Sequence, residues 1–244
     1  MSSTEAVDGL DLGNVGLLGA GAIGTAFAYV LMATDWSAQV DVIDSDYYDE
    51  PNHETSLMIG ATDVIQTPKK AEKLAELLAT KERLRATPIV ERVVKDSVIL
   101  SASRSYFICA VDNVETRHVL DQIESRVLLN GGVGGSALDA GHVLVTRHLS
   151  IDRSLSDTYR STDRKETNSE KPAPTEFRDD TCSRLHYEAV SLAAPFIALA
   201  CASLLLALCA QQALAVDLRT NYFKLDLLGL QSSTDQRVMK QNNI

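Results

Sequence analysis

A glycine-rich stretch near the N-terminus constrains the fold of this chain more than any other feature of the sequence. Residues 15–18 are apolar, and Gly19, Gly21 and Gly24 follow in the pattern Gly-x-Gly-x-x-Gly, just before a segment with apolar residues at helical spacing. This order predicts a strand, a tight turn and a helix. Gly19 permits the sharp turn, Gly21 lets a phosphate group approach the backbone, and Gly24 allows the helix to pack closely on the strand. The start of the helix then offers free N–H groups and a partial positive charge to an anion.

The second predicted strand, residues 39–43, ends in Asp44. This carboxylate stands about twenty residues beyond the turn, where an acidic side chain can accept hydrogen bonds from a ribose. The sequence therefore predicts a nucleotide site at the glycine turn. The alternative is a turn that serves only to bring the helix close to the strand.

Predicted strands and helices continue to alternate along the chain. This alternation is typical of an α/β fold with a doubly wound, mostly parallel sheet that is covered on both faces. We expect Thr67 to cap the second helix and Pro68 to occupy its first turn. The predicted helices cover residues 25–33, 69–80 and 112–123; the further predicted strands cover 89–94, 106–111, 126–130, 141–148 and 222–230; and the glycine-rich residues 131–135 are predicted to be flexible.

The composition divides the chain into a core and its connections. Residues 150–181 are charged, rich in Ser and Thr and poor in apolar residues, which is typical of a functional or disordered loop. The predicted parts are a flexible N-terminal arm, 1–14; a Rossmann-like core, 15–149; a crossover loop carrying Cys182, 150–187; an apolar helix and a last strand of the same domain, 188–230; and a frayed tail, 231–244.

Charge, cysteine spacing and hydropathy narrow the expected partners and location. The formal net charge is −10 without any lysine- or arginine-rich run, so nucleic acid is not an expected partner. The four cysteines form no Cys-x-x-Cys pair, and no basic segment followed by an apolar one is seen at the N-terminus. We therefore expect a cytoplasmic protein with free thiols and no structural zinc. Residues 189–210 form a segment that is long and apolar enough to cross a bilayer. The segment contains Pro195, however, and no aromatic or basic anchor residues flank it. We therefore expect a helix that is buried on most sides of a soluble domain, and no membrane partner.

Polar residues after the turn favour an adenylating enzyme over a dinucleotide-dependent oxidoreductase. Asp46 and Asn52 would place a second carboxylate and an amide around the nucleotide beside Asp44. Lys69 and Lys70 are suited to neutralising phosphate charge, although both could instead be solvated surface charges.

Asp112 is a third feature of this kind, because it follows the uncharged predicted strand 106–111. Open α/β sheets bind their ligands at the C-terminal ends of the strands, and Mg²⁺ typically binds one or two carboxylates together with substrate phosphates. Asp112 is therefore the predicted magnesium ligand. The alternative is that it only caps the helix that follows.

Further motifs follow these along the chain, and the complete series comprises residues 19–24, 44–46 with Asn52, 68–72, 110–117, 129–135, 181–182, 188–190 and 194–195. Taken in order, these motifs resemble the ThiF/MoeB/HesA family, the adenylating domains of ubiquitin-activating enzymes and their bacterial relatives. The resemblance implies that MgATP activates the C-terminal glycine carboxylate of a small ubiquitin-like or sulfur-carrier protein, giving an acyl-adenylate and pyrophosphate. It also implies a homodimer, and a conjugating-enzyme-like protein is a further possible partner.

By position, the resemblance also assigns roles to individual residues. Cys182 lies where members that form a thioester carry their cysteine, and Asp112 would hold the metal. The residues implied to bind the nucleotide are Gly19, Gly21, Gly24, Asp44, Asp46, Asn52, Lys69, Lys70 and Asn113.

The chain departs from the family pattern at two arginine positions. Thr55 stands three residues after Asn52, where the family usually has an arginine, and residues 1–14 contain no arginine to reach into a partner subunit. Because positioned arginines stabilise the charge that develops during nucleotidyl transfer, Arg117, Lys69 or a partner chain must compensate, or adenylation is slow or lost.

Two alternatives therefore stay open. One is a catalytically weak scaffold that binds a ubiquitin-like protein or a conjugating partner. The other is an NAD(P)-dependent oxidoreductase, which the glycine turn and Asp44 alone would permit.

Overall fold

One mixed sheet organises the part of the chain that the computed structural model describes, namely residues 9–94, 97, 104, 106–111, 114–120, 127–133, 142–148, 194–215, 220–226 and 231–236. Its strands, in the spatial order β3-β2-β1-β4-β5-β6-β7-β8, are numbered along the chain. They are β1 Asp11–Leu18, β2 Ser37–Ile43, β3 Leu84–Ile89, β4 Tyr106–Cys109, β5 Val127–Val133, β6 His142–His148, β7 Thr220–Asp226 and β8 Gln231–Gln236.

The sheet combines a parallel half with an antiparallel half. Strands β3, β2, β1, β4 and β5 run parallel, and β6, β7 and β8 extend the sheet antiparallel from β5. From β1 the chain moves outward to β2 and β3, and then returns to place β4 on the other side of β1. The predicted α/β fold is confirmed, and the ends of β1 and β4 form the switch point at which such sheets bind ligands.

The described helices are α1 Ala22–Met32, α2 Glu50–Thr55, α3 Ala61–Ile65, α4 Lys70–Leu78, α5 Val114–Leu120 and α6 Ala194–Ala213. Helices α1, α4 and α6 pack on one face of the parallel strands, where Val15, Leu17 and Val40 are fully buried. On the other face, Leu18 and Phe107 form a second cluster with Leu120 of α5. Burial on both faces explains why the central strand β4 carries no charged residue.

Helix α6 is long and apolar enough to cross a membrane by length and composition, a property that the core helix of a soluble protein shares. Its buried residues Ala198, Cys201 and Leu205 recur at helical spacing, and the helix packs against α1 and β5. Burial is nevertheless confined to one side, since Phe196 is 73% exposed. The prediction that this helix is buried on most sides is therefore wrong, while its place in the core explains its composition.

Glycine brings α6 close to the sheet at one point. A Cβ at Gly131 would lie 2.7 Å from Sγ of Cys201 and 2.9 Å from Leu205. Residues 131–133, which were expected to be flexible, continue strand β5. The absence of a side chain at Gly131 thus serves helix–sheet packing.

Strand β3 occupies Leu84–Ile89 rather than residues 89–94. Its pairing with β2 runs from Ala38 and Leu84 to Ile43 and Ile89. Proline is tolerated in this strand because β3 ends the described sheet, where a missing N–H costs no ladder hydrogen bond. The apolar residues Val90, Val93 and Val94 follow β3 and are not part of it.

Helix α4 begins at Lys70, and Lys69 rather than Thr67 occupies its N-cap position. A short bridge pairs Tyr47 with Lys69, and the Lys70 N–H donates to the Asp46 carbonyl at 2.9 Å. This pairing sets where the helix starts and places Thr67 at φ +44°, outside the helix. The predicted cap is therefore wrong.

Strand structure extends beyond its predicted limits toward both ends of the chain. Strand β1 begins at Asp11, inside the predicted arm, and β8 lies inside the predicted frayed tail. Helices α2 and α3 were not predicted. Short helices carry too few residues for an apolar period to show in the sequence.

Candidate nucleotide site

A cavity of about 310 Å³ opens at the C-terminal ends of β1, β2 and β4. The glycine turn and the start of α1 form one wall, and residues 43–46 form another. Lys70, residues 91–93, residues 110–111 and residues 116–117 complete the lining. The cavity thus lies at the switch point of the sheet, where the sequence placed a nucleotide site.

The three glycine positions of the turn differ in how a side chain would fit there. Gly19 has φ +93°, and a Cβ there would lie 2.7 Å from the Ala110 carbonyl oxygen. A Cβ at Gly24 would overlap the Gly19 carbonyl oxygen. A Cβ at Gly21 would meet no described heavy atom within 4 Å, although its backbone, with φ −82° and ψ −148°, lies outside the main regions that residues with a Cβ occupy. The described fold therefore requires glycine at 19 and 24, whereas position 21 faces open space in the cavity.

Asp44 is held in one orientation by the backbone. Its Oδ2 accepts the Ala20 N–H at 2.7 Å, and its Oδ1 accepts the Asp46 N–H at 2.8 Å. Burial raises the pKa of Asp44, and these two hydrogen bonds and the charge of Lys70 oppose the shift only in part. Each carboxylate oxygen keeps a lone pair for another donor. Accepting hydroxyl groups of a ribose would offset part of the desolvation that the carboxylate suffers.

The predicted lysine pair separates in the structure. Lys70 lines the cavity. Lys69 instead places Nζ 3.6 Å from the Tyr47 ring centroid and donates to the Ser45 carbonyl at 3.3 Å. Asp46 also lines the cavity.

Asn52 is not among the residues that line the cavity, and its side chain instead stabilises the start of α2. Its Oδ1 accepts the Asp49 N–H at 3.0 Å, which makes it the N3 partner in the capping box of α2. The structure thus brings Gly19, Gly21, Asp44, Asp46 and Lys70 together around the cavity, with Gly24 packed beneath the turn.

Several lining residues were not singled out from the sequence as binding residues. Glu91, Arg92 and Val93 line the cavity immediately after β3, where a strand had been expected. Arg117, named earlier only as a possible substitute for the absent arginines, is 4% exposed and donates to the Val111 carbonyl at 2.5 Å. The sequence indicated a role for Arg117 only through its position in the segment 110–117, which is one of the segments that resemble the adenylating family. Lys70, Arg92 and Arg117 thus supply positive charge at the cavity.

The predicted magnesium ligand Asp112, its neighbour Asn113 and the predicted nucleophile Cys182 lie outside the described residues. Among those that are described, no group of three or more His, Cys, Asp or Glu side chains could hold a metal ion. Cys201 and Cys209 are buried thiols, and burial raises the pKa of each to about 12. Such thiols stay protonated at neutral pH and are poor nucleophiles.

Solved structures with the same fold include MccB and PaaA. MccB from E. coli, crystallised with AMPCPP and MccA, has a TM-score of 0.67 at 11% identity, covering 94% of this chain and 65% of that chain. MccB with ATP has a TM-score of 0.65 at 11% identity, covering 91% and 63%. PaaA has a TM-score of 0.60 at 14% identity, covering 92% and 64%. Identities this low establish a shared fold, and the chain spans less than two thirds of the length of each of these proteins.

Comparison of sequences places the chain in a family. No curated protein sequence matches it. The family defined by the BilD C-terminal domain matches residues 13–215, a range that includes the glycine turn, all the cavity-lining residues and helix α6. The chain therefore belongs to the BilD C-terminal domain family.

Proposed function

We propose that this chain binds ATP in the cavity and adenylates the C-terminal carboxylate of a small ubiquitin-like or sulfur-carrier protein. The observation that carries the proposal is Gly21. No described neighbouring atom would clash with a Cβ there, yet the residue is glycine and lines the cavity at the N-cap of α1. A close approach of phosphate to the backbone is the reason that a ligand would supply.

The lining separates into surfaces that suit the parts of a nucleotide. Leu18, Ile43 and Val93 are buried apolar residues at one side and offer a wall for a base. Asp44 accepts hydrogen bonds from the ribose, while the free N–H groups of α1 and the ammonium of Lys70 receive the phosphates. ATP fits this division of apolar, acidic and cationic groups.

The reaction itself requires charge stabilisation and positioning. A carboxylate oxygen of the carrier attacks the α-phosphorus, the bond to the β-phosphate breaks, and pyrophosphate leaves with its electron pair. Since the carboxylate is already ionised, no general base is needed. Positive groups stabilise the charge on the transferring phosphorus and on the leaving pyrophosphate. Lys70, Arg92 and Arg117 supply that charge in place of the family arginines, and a magnesium ion held by Asp112 would add to it.

Crystals of MccB with ATP and with AMPCPP plus MccA support the choice of ligand and of a peptide-like partner. They do so by analogy of fold. The same proposal includes a homodimer, transfer of the activated carrier to Cys182, its transfer onward to a conjugating-enzyme-like protein, and a cytoplasmic location. These parts of the proposal rest on the sequence alone.

A second candidate is a scaffold that binds nucleotide and carrier without turnover. It is favoured by Asn52, whose amide oxygen caps α2, and by Thr55 at the family's arginine position. Loss of two polar contacts to the phosphates would weaken transition-state stabilisation more than ground-state binding.

Pyrophosphate exchange separates these functions. The chain is incubated with ATP, Mg²⁺, radiolabelled pyrophosphate and candidate ubiquitin-like proteins that end in glycine, and label in ATP is measured. Carrier-dependent exchange is the expected result. Stabilisation of the fold by MgATP without exchange for any carrier indicates the scaffold, and stabilisation by NAD but not by MgATP would refute ATP as the ligand.

A further inference from the structure

Tyr48 is a fully buried side chain that lies against the glycine turn on the side away from solvent. Its hydroxyl donates to the Ala20 carbonyl at 2.6 Å, and its backbone N–H donates to the Pro68 carbonyl at 3.0 Å. Lys70 Nζ lies 5.8 Å from the centroid of its ring. One aromatic side chain therefore contacts both the turn and the lysine that lines the cavity.

The hydrogen bond from Tyr48 fixes the direction of a particular N–H group. The Ala20 carbonyl belongs to the peptide that joins Ala20 to Gly21, and in a planar trans peptide the C=O and N–H point in opposite directions. When the carbonyl is held by the buried hydroxyl, the Gly21 N–H points away from Tyr48. Ala20 is fully buried, whereas Gly21 lines the cavity, so the open side is the side to which this N–H is directed.

This peptide needs such a restraint because of Gly21 itself. A residue without a Cβ rotates about its backbone at small steric cost. If the peptide between Ala20 and Gly21 turned over, the Ala20 carbonyl oxygen would face the cavity and repel an anion. The preceding peptide is already held, since the Ala20 N–H donates to Asp44 at 2.7 Å.

We propose that Tyr48 is a positioning residue that holds the glycine turn with the Gly21 N–H directed at the phosphates of the bound nucleotide. The proposal rests on the proposed ATP site and adds to it the group that organises its phosphate-binding wall. Tyr48 touches no ligand itself. It acts through the peptide that joins Ala20 to Gly21, so its hydroxyl affects phosphate recognition and leaves the surfaces for base and ribose in place.

The test compares Tyr48→Phe with Tyr106→Phe in the full chain. Both variants remove one hydroxyl from a buried tyrosine, but Tyr106 begins β4 at the opposite end of the parallel strands and does not line the cavity. Affinities for ATP and for adenosine are measured by displacement of a fluorescent ATP analogue. Tyr48→Phe is expected to weaken ATP binding about tenfold, equivalent to about 1.4 kcal/mol, with adenosine affinity unchanged. Tyr106→Phe is expected to change neither.

Other outcomes have distinct meanings. Equal weakening of ATP and adenosine, unchanged ATP affinity, or failure of Tyr48→Phe to fold would show that Tyr48 is only a core residue and would overturn the proposal. A crystal structure of the variant gives a second readout: a rotated or doubled peptide at Ala20–Gly21 supports the proposal, and a single unchanged orientation contradicts it. If the wild-type chain itself does not bind ATP, the proposed function fails rather than the role of Tyr48.

Discussion

Replacing Gly21 by alanine should separate ligand binding from folding. The added Cβ meets no described heavy atom within 4 Å, so the cost to folding comes from the backbone, because alanine adopts the ψ of −148° at this position less readily than glycine does. Alanine is a poorer N-cap residue than glycine, but it also reduces the conformational entropy of the unfolded chain, by about 0.4–1 kcal/mol in free energy. Since the entropic gain offsets part of the capping and backbone costs, the free energy of unfolding of the nucleotide-free chain should fall by no more than about 1–3 kcal/mol.

Nucleotide binding should respond far more strongly. At an ATP concentration of about 100 times the wild-type Kd, binding adds about 2.7 kcal/mol to stability. A methyl group where a phosphate approaches the backbone should raise Kd about a hundredfold or more, which leaves about 0.4 kcal/mol at the same concentration. For a chain of this size, each kcal/mol shifts the melting temperature by about 2–4 °C. The ATP-dependent shift should therefore fall from about 5–11 °C to about 1–2 °C.

Thermal denaturation with and without MgATP measures both effects. Gly24→Ala is the matched control, because its Cβ would overlap the Gly19 carbonyl oxygen. That variant should lose stability whether or not ATP is present. A Gly21→Ala chain that is stabilised by ATP as strongly as the wild type would refute the argument that position 21 is kept free for a phosphate.

Two further predictions concern other parts of the chain. Cys182→Ala should abolish an ATP-dependent, thiol-sensitive adduct with the carrier protein while pyrophosphate exchange persists, because exchange needs only the adenylate; an adduct that survives the substitution would exclude this cysteine as the acceptor. Asp63 has a lowered pKa because it accepts the Gly60 N–H and pairs with Lys73, with Asp63 Oδ1 and Lys73 Nζ 3.1 Å apart. A lowered folded-state pKa contributes stability that is present above the ordinary pKa of 3.8 and is lost as the pH falls through the folded-state pKa. The free energy of unfolding should therefore fall less steeply with pH below 3.8 in Asp63→Asn than in the wild type. Parallel plots of that free energy against pH for the two proteins would contradict the assignment.

The backbone of the site was predictable because its geometry is local. Gly19, Gly24 and Asp44 are fixed by one turn and the two strands beside it, and the sequence shows all of these within a few tens of residues. The positive φ of Gly19 and the close contact of Gly24 with it confirm the reasons expected for these glycines.

Side chains whose roles depend on tertiary pairing were not predictable in the same way. Lys69 and Lys70 are neighbours in the sequence, and only the bridge between Tyr47 and Lys69 decides which of them reaches the cavity. Val93 became a wall of the cavity because β3 pairs with β2 five residues earlier than its apolar run suggested.

Asn52 is a different case, because the sequence carries a local signal for its structural role. Asp49 and Asn52 have the spacing of a capping box.

The close contact of Gly131 with Cys201 makes that thiol a reporter on the opening of the core. Any reagent that adds atoms to Sγ needs space that the backbone of β5 occupies, so α6 must first separate from the sheet. When reclosing is faster than modification, the rate of alkylation at Cys201 reports the equilibrium population of the open form. A single natural cysteine could therefore yield the free energy of opening between helix α6 and the sheet, without an introduced label.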